Sequence, residues 1–271
     1  MLEKRILWNF KYDVDKQTYL YRLYHENSKH SPLTQSVKAP RSNYMELIEN
    51  EAREERKYDK KGEVVYIVPY VSELEQFDIR LTDALLKRRT SWNFKKQAIS
   101  TRELIAFLGY SFGISDREYN LKTYPSGGRF YPVDIYLVPT KKMIRNSEIL
   151  KEERAYRYNQ NSRELLALHR VDLEELNSLT SSTDIGDMSF DDALFLVFLV
   201  GNTRYIEKKY NSLTYRLIYK ELGHIGQNIM LVATMLGMST VPLGGFFEDR
   251  INKFLRLDKT YQSNMYTFIV G

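Results

Sequence analysis

The stretch that most limits what this chain can become is Ala193-Leu194-Phe195-Leu196-Val197-Phe198-Leu199-Val200, which stops at Gly201-Asn202. A strand with one wet face alternates polar and apolar residues. An unbroken apolar run instead belongs to a strand buried on both faces. Around it, Val133–Val138 alternates and is β-branched, Met265–Val270 reads as a last strand, and Val64–Val68 has strand composition. Leu81, Ala84 and Leu85 repeat at helical spacing within Leu81–Lys87. Ser100 and Glu103 form a capping box that opens a second helix through Leu104–Tyr110. From Thr214 to Met238, Leu217, Ile218, Leu222, Ile225, Ile229, Val232 and Met235 hold helical period, with Gly223 and Gly226 close to one face where another backbone can approach. Gly237 and Pro242 flank the end of that helix. Helices mixed with a few strands, without regular β-α alternation or internal repeat, predict an α+β fold.

Composition narrows the function classes. The 271 residues suffice for one large domain or two small ones, and 43% hydrophobic with 13% aromatic residues is a globular balance. Cysteine is absent, which removes disulfides, thiolate metal sites and a cysteine nucleophile. The four histidines, His25, His30, His169 and His224, form no His-x-x-x-His pair, so no metal site is expected. The most apolar stretch, Ile225–Met238, is interrupted by Gln227 and Asn228 and falls short of the roughly 20 residues of a bilayer span. With no signal peptide at Met1–Ile6, the expectation is a cytoplasmic protein without a membrane segment. The net charge of +5 is spread among acids, as in Glu51–Lys61, which reads as a solvated helical face rather than a nucleic-acid surface. Residues 1–77 are uneven: tyrosine-rich Tyr19–Tyr24, a polar turn region Glu26–Pro40, then a charged helix at Tyr44–Lys57. This segment is expected to wrap over a main domain spanning 78–271.

Six local clusters carry possible chemistry. Lys87-Arg88-Arg89-Thr90 suits a phosphate, because arginine offers paired donors, yet cations at a helix end also answer the macrodipole. Pro125-Ser126-Gly127-Gly128 and Pro242-Leu243-Gly244-Gly245-Phe246 are tight turns beside apolar elements, and either could bring backbone close to a flat ligand. Gly223-His224-Ile225-Gly226-Gln227-Asn228 sits on the long helix, where a lone histidine is more often a core or interface residue than a catalyst. Lys209-Tyr210, and Tyr24-His25-Glu26-Asn27-Ser28-Lys29, are unremarkable by composition in a chain with 21 tyrosines.

Taken together, and in their order along the chain, the clusters resemble the nitroreductase-like flavoproteins, and within them the SagB-type dehydrogenases that oxidise azoline rings in ribosomal peptides. Arg88, Arg89, Thr90 and Phe94 match the opening Arg-Arg-Ser-x-Arg-x-Phe motif, with Trp92 standing where a second basic residue is usual. Pro125, Ser126 and Gly127 match a Pro-Ser-Ala-Gly loop, Gly244 and Gly245 a Pro-x-Gly-Gly-Phe loop, and Gln227 and Asn228 a Gly-His-x-x-Gln-Asn helix. Tyr24 to Lys29 is similar to an amino-terminal Tyr-His-x-x-Ser-Lys signature of the subgroup.

The resemblance implies an α+β nitroreductase-like fold with a central mixed or antiparallel sheet flanked by helices. It implies FMN as cofactor, held by Arg88, Arg89, Thr90, Pro125, Ser126, Gly127, Gln227, Asn228, Gly244 and Gly245. Lys209 and Tyr210 would be catalytic, Tyr210 as base and Lys209 as the cation that makes a tyrosinate accessible. A modified precursor peptide would be the substrate, in biosynthesis of a bacteriocin-like product. The enzyme would be a homodimer, with a cyclodehydratase complex as possible partner. Two other functions stay open: an NAD(P)H-dependent nitroreductase or quinone reductase acting on free small molecules, and a non-catalytic scaffold subunit of a peptide-modifying complex.

Overall fold

In the computed structural model, residues 20–29, 62–94, 96–181 and 189–271 are described. The charged helix expected over Tyr44–Lys57 lies outside them. The centre is a seven-stranded sheet of β1 (Glu63–Ile67), β4 (Val133–Pro139), β5 (Arg154–Asn159), β6 (Glu164–Arg170), β7 (Phe195–Asn202), β8 (Thr240–Leu243) and β9 (Gln262–Val270). Its order is β1-β6-β5-β4-β7-β9-β8, and each of these neighbouring pairs is antiparallel. A small ribbon of β2 (Ile114–Asp116) and β3 (Leu121–Lys122) lies apart from it. The α+β expectation holds, and the main sheet is antiparallel throughout these ladders.

The apolar run that dominates the sequence is β7, near the middle of the sheet and buried from Phe195 to Gly201. One of its faces, with Phe195, Val197 and Leu199, packs under α3 (Thr101–Phe112) and α6 (Thr214–Met235). The other, with Leu196, Phe198 and Val200, packs against α7 (Glu248–Phe254) and the segments Leu173–Leu179 and Phe190–Asp192. Two separate cores therefore account for its unbroken hydrophobicity. β4 is also buried on both faces despite carrying Asp134. That carboxylate accepts from Asn202 Nδ2 and Gln262 Nε2, both at 2.9 Å, so the buried charge is solvated by protein.

The helices begin and end where local chemistry dictates. α2 is Leu81–Lys87, as the sequence predicts. α3 is opened by the capping box: Ser100 Oγ accepts from Glu103 N, and Ser100 N donates to Glu103 Oε2 at 2.8 Å. The polar turn expected from Glu26 starts later. α1 (Leu20–Asn27) continues through Asn27, whose Nδ2 donates to Leu23 O at 2.8 Å, and Ser28 N closes the last turn onto Tyr24 O. Two short helices, α4 (Lys141–Ile144) and α5 (Ile206–Tyr210), follow β4 and β7. β1 pairs with β6, and Val68 is fully buried, so part of the segment before residue 77 belongs to the same sheet and core.

Candidate active site

The loop between β3 and β4 is held from beneath by a buried polar set. Tyr131 Oη accepts from Lys122 N at 3.1 Å, Tyr131 N donates to Ser126 Oγ at 2.8 Å, and Tyr124 Oη donates to Gln160 Oε1 at 2.8 Å. Burial pushes the Tyr131 phenol above its ordinary pKa against the opposing bond from Lys122, so it serves as a neutral strut. So supported, the loop carries three residues in the left-handed region, Gly128 (φ 63°), Arg129 (φ 59°) and Tyr131 (φ 49°). Two of the three are not glycine, a concentration of strain that persists only where the surroundings over-determine it.

This loop meets Lys209 and Tyr210. A Cβ placed on Gly128 would stand 2.6 Å from Tyr210 Oη. The Tyr210 ring lies edge-on to Phe130 at 5.9 Å, and Lys209 Nζ is 5.5 Å and 5.3 Å from the centroids of Phe130 and Tyr210. Gly127 faces α6, where an added Cβ would sit 3.2 Å from the Leu217 side chain. Pro125 is exposed at the loop's entry. Directly after Tyr210, Asn211 adopts φ 44° and ψ −122°, a second strained point.

Gly244 and Gly245 lie elsewhere. Between α6 and the ends of β8 and β9 is a cavity of about 560 Å³ whose walls include Tyr215, Tyr219, Gly223, Gly244, Phe246 and Tyr266. A Cβ on Gly223 or Gly244 would find nothing within 4 Å. The carbonyl of Gly245 is fixed by the Thr180 hydroxyl. On the same wall Asn264 is buried, and its Oδ1 has no protein partner although its Nδ2 donates to Thr267 Oγ1. Burial, then Tyr215, Glu248 and Tyr24, push the Tyr219 phenol above its ordinary pKa.

The Arg88–Thr90 cluster stands at the other end of β8. Thr90 bridges Thr240 in parallel, and Ser91 N donates to Thr240 O at 3.1 Å. Arg89 is exposed and closes the end of α2 by donating from Nη1 to Leu86 O and Arg88 O; Arg88 is half-buried. Trp92 packs edge-on to Phe94 at 6.2 Å and against the second core. Trp92 is half-buried there and covers the edge of that core. Gln227 is exposed on α6. Asn228 donates from Nδ2 to Thr123 O at 3.2 Å and Ser111 O at 3.4 Å, tying α6 to the segment leading into the loop.

The singled-out residues thus form two groups on one chain. Gly127 meets Leu217 and its neighbour Gly128 meets Tyr210, beside Lys209, whereas Gly244 lines the cavity and Thr90 pairs with the far end of β8. Leu217 and the cavity residues Tyr215 and Tyr219 lie about 160° apart around α6 at 100° per residue. Sequence reasoning missed Gly128 and Phe130 as contacts of Tyr210. The doubled glycine was the available signal, since the left-handed φ falls on the second of the pair. Among the described residues no helix is long and apolar enough to cross a membrane.

Comparison with known proteins then decides the family. The Nitroreductase family model matches residues 85–271, which takes in the end of α2 and every element after it. The chain belongs to the nitroreductase family. MJ1384, a nitroreductase-family protein of Methanocaldococcus jannaschii, is 29% identical over 180 residues, covering 66% of this chain and 86% of the relative. The Escherichia coli microcin B17-processing protein McbC is 25% identical over 170 residues, and the match spans 60% of this chain and 59% of McbC. Among solved structures, a chain of the Escherichia coli microcin synthetase McbBCD complex with truncated pro-MccB17 bound aligns with a TM-score of 0.61 at 19% identity. That alignment covers 93% of this chain and 91% of the other, and at this identity it shows the fold. The nitroreductase-like expectation is met, and the family makes the chain an oxidoreductase.

Proposed function

We propose that this nitroreductase-family protein is an FMN-dependent dehydrogenase that oxidises thiazoline or oxazoline rings of a ribosomally made peptide to azoles. The observation that carries the reading is the convergence of Lys209-Tyr210 on the Pro125–Gly128 loop, with Gly128 lacking the Cβ that would strike Tyr210 Oη at 2.6 Å. It puts a phenol and an ammonium group beside a loop otherwise suited to a flat ring. The relationship to McbC, a microcin B17-processing protein, supports a peptide substrate. Work alongside a cyclodehydratase in the cytoplasm is part of the same proposal.

The residues present fit FMN. The cavity by Gly223 and Gly244 is open where side chains would fill it, and the unpartnered Asn264 Oδ1 lies in its wall. Arg88, Arg89 and Thr90 would hold the phosphate, and Gly244 and Gly245 the ring. β8 separates the two groups by about 10–13 Å at the usual strand rise, a distance a mononucleotide can bridge. Pro125, Ser126 and Gly127 lie on the other flank of α6, so they would serve the site of a second copy. This supports a homodimer with sites built from both chains. Gln227 and Asn228 would complete the polar surroundings.

When bound, FMN supplies the two-electron acceptor. Azoline-to-azole conversion removes two hydrogens from the ring, one as a proton and one with the electron pair. Tyr210 would take the proton at its phenolate oxygen, and Lys209 would stabilise the negative charge on the oxygen before transfer. The Phe130 ring packs edge-on against the Tyr210 ring and limits the direction of the phenol.

The relationship to MJ1384 favours a second reading, reduction of free small molecules with NAD(P)H. Purified protein should be yellow and release FMN, not FAD, on denaturation. With oxygen and an azoline-bearing peptide it should yield product lighter by two hydrogens per ring without a nicotinamide nucleotide. Rapid bleaching of the flavin by NAD(P)H, with no peptide oxidation, would select the second reading. A colourless protein would select the scaffold role.

A further inference from the structure

We infer that Arg216 and Tyr24 are positioning residues: with the end of α1 they form a clamp that holds the turn carrying Tyr210 in its strained, working shape. The inference rests on the reading of Tyr210 as the base and supplies what that reading lacks, a role for the Tyr24–Lys29 string. Two bonds join α1 to the start of α6. Tyr24 Oη donates to Ser212 O at 3.2 Å, and Arg216 Nη1 donates to Ser28 O at 2.7 Å and reaches Ser28 Oγ at 3.4 Å. The rungs are in step. Tyr24 and Ser28 are four residues apart, as are Ser212 and Arg216, so two contacts with the same spacing on both sides fix direction as well as position.

The placement of Arg216 argues against a merely local role. It lies in the first turn of α6, where a cation opposes the macrodipole, and the N-cap, Leu213, offers no side-chain cap. At the far end of its bond the same charge is favourable, because Ser28 O belongs to the carbonyl end of α1. Ser28 is 1% exposed, so the acceptor of the Arg216 bond is shielded from water, whereas the Tyr24 rung is exposed. Between the rungs and Tyr210 stands Asn211, with φ 44° and ψ −122°. Such a residue relaxes unless both sides are pinned. Phe130 and Gly128 pin the Tyr210 side; the bonds at Ser212 and Arg216 pin the other.

The test is a double-mutant cycle on the full-length, flavin-loaded protein, using an azoline-bearing peptide, with hydrogen exchange as a readout independent of turnover. Arg216→Ala should lower kcat about 10- to 100-fold, the scale of a displaced catalytic group, with flavin content and KM little changed. Arg216→Lys should recover part of the loss. Amides over 206–213 should exchange about tenfold faster, while those of β7 and β9 stay as in wild type. In a Tyr210→Phe background, Arg216→Ala should cost nothing more, because both changes act through one phenol. Tyr24→Phe removes only a hydroxyl and should reproduce the exchange change in milder form, which keeps the test usable if Arg216→Ala folds poorly. Wild-type exchange and wild-type kcat in both single variants, or full additivity with Tyr210→Phe, would overturn the clamp. Wild-type turnover in Tyr210→Phe alone would instead overturn the assignment of the base, leaving the exchange result to decide the clamp.

Discussion

The two glycine loops differ in what their glycines answer to. At Gly128 the protein itself opposes a side chain: φ is 63°, and a Cβ would meet Tyr210 Oη at 2.6 Å. At Gly244 nothing in the protein does, since an added Cβ meets no atom within 4 Å, and the same is true of Gly223 inside α6. A glycine required by internal packing reports on the fold, whereas a glycine that costs stability and touches nothing reports on something that arrives later. By that measure the Pro125–Gly128 loop is organised by the chain's own side chains, and the cavity between α6 and β8 is not, as the proposed flavin site requires.

Substitutions can break this contrast. The largest effect is expected on the cavity side: replacing Arg88 and Arg89 together with alanine should leave the protein folded but cut FMN affinity by more than about 100-fold. Charged hydrogen bonds contribute roughly 1.5–3 kcal/mol each. Full flavin occupancy in the double variant would remove the phosphate assignment. Next, Gly128→Ala should destabilise the chain by about 1–3 kcal/mol, measured by denaturant unfolding, because it meets both backbone strain and the Tyr210 hydroxyl.

Gly223→Ala should do the reverse. It should stabilise the ligand-free chain by about 0.5–1 kcal/mol, since alanine suits a helix interior better than glycine, while weakening flavin retention. A Gly223→Ala protein that is destabilised, or that binds flavin as tightly as before, would blur the distinction between the loops.

The smallest effect is a control remote from both. Burial alone would raise the Glu103 carboxyl, but hydrogen bonds from Lys96 and Ser100 outweigh it and hold the pKa below the ordinary value. A depressed carboxyl stabilises the fold above its ordinary pKa, near 4.5, and that contribution is lost as pH falls through the lowered value. Glu103→Gln should therefore lower the melting temperature at neutral pH, by the few degrees that about 1 kcal/mol represents. The difference should shrink in acid, and flavin content should not change.

What could be read from the sequence was local. The capping box at Ser100 and Glu103 and the apolar run of β7 each declare themselves within a few residues. The hairpin of β5 and β6 escaped because Arg154, Arg157 and Asn159 make it look polar. Yet Arg157 is buried, with its guanidinium 3.6 Å from Asp134 of the neighbouring strand. The resemblance named both loops and the Lys-Tyr pair. That Tyr210 touches one loop and not the other is a long-range fact, created by the folding of α5 against β4's approach. Arg216, in an ordinary helical stretch, carried no signal at all.

The position of β9 has a consequence for how the molecule is made. Residues 262–270 are inserted between β7 and β8, so both of those strands complete their pairing only through it. As the chain leaves the ribosome, the most apolar strand waits with an open edge while some sixty further residues are synthesised, at about 5–20 residues per second. For several seconds or more the nascent protein presents an unpaired hydrophobic edge of the kind that recruits chaperones or other strands. Shortening the chain by one strand would leave that edge open permanently.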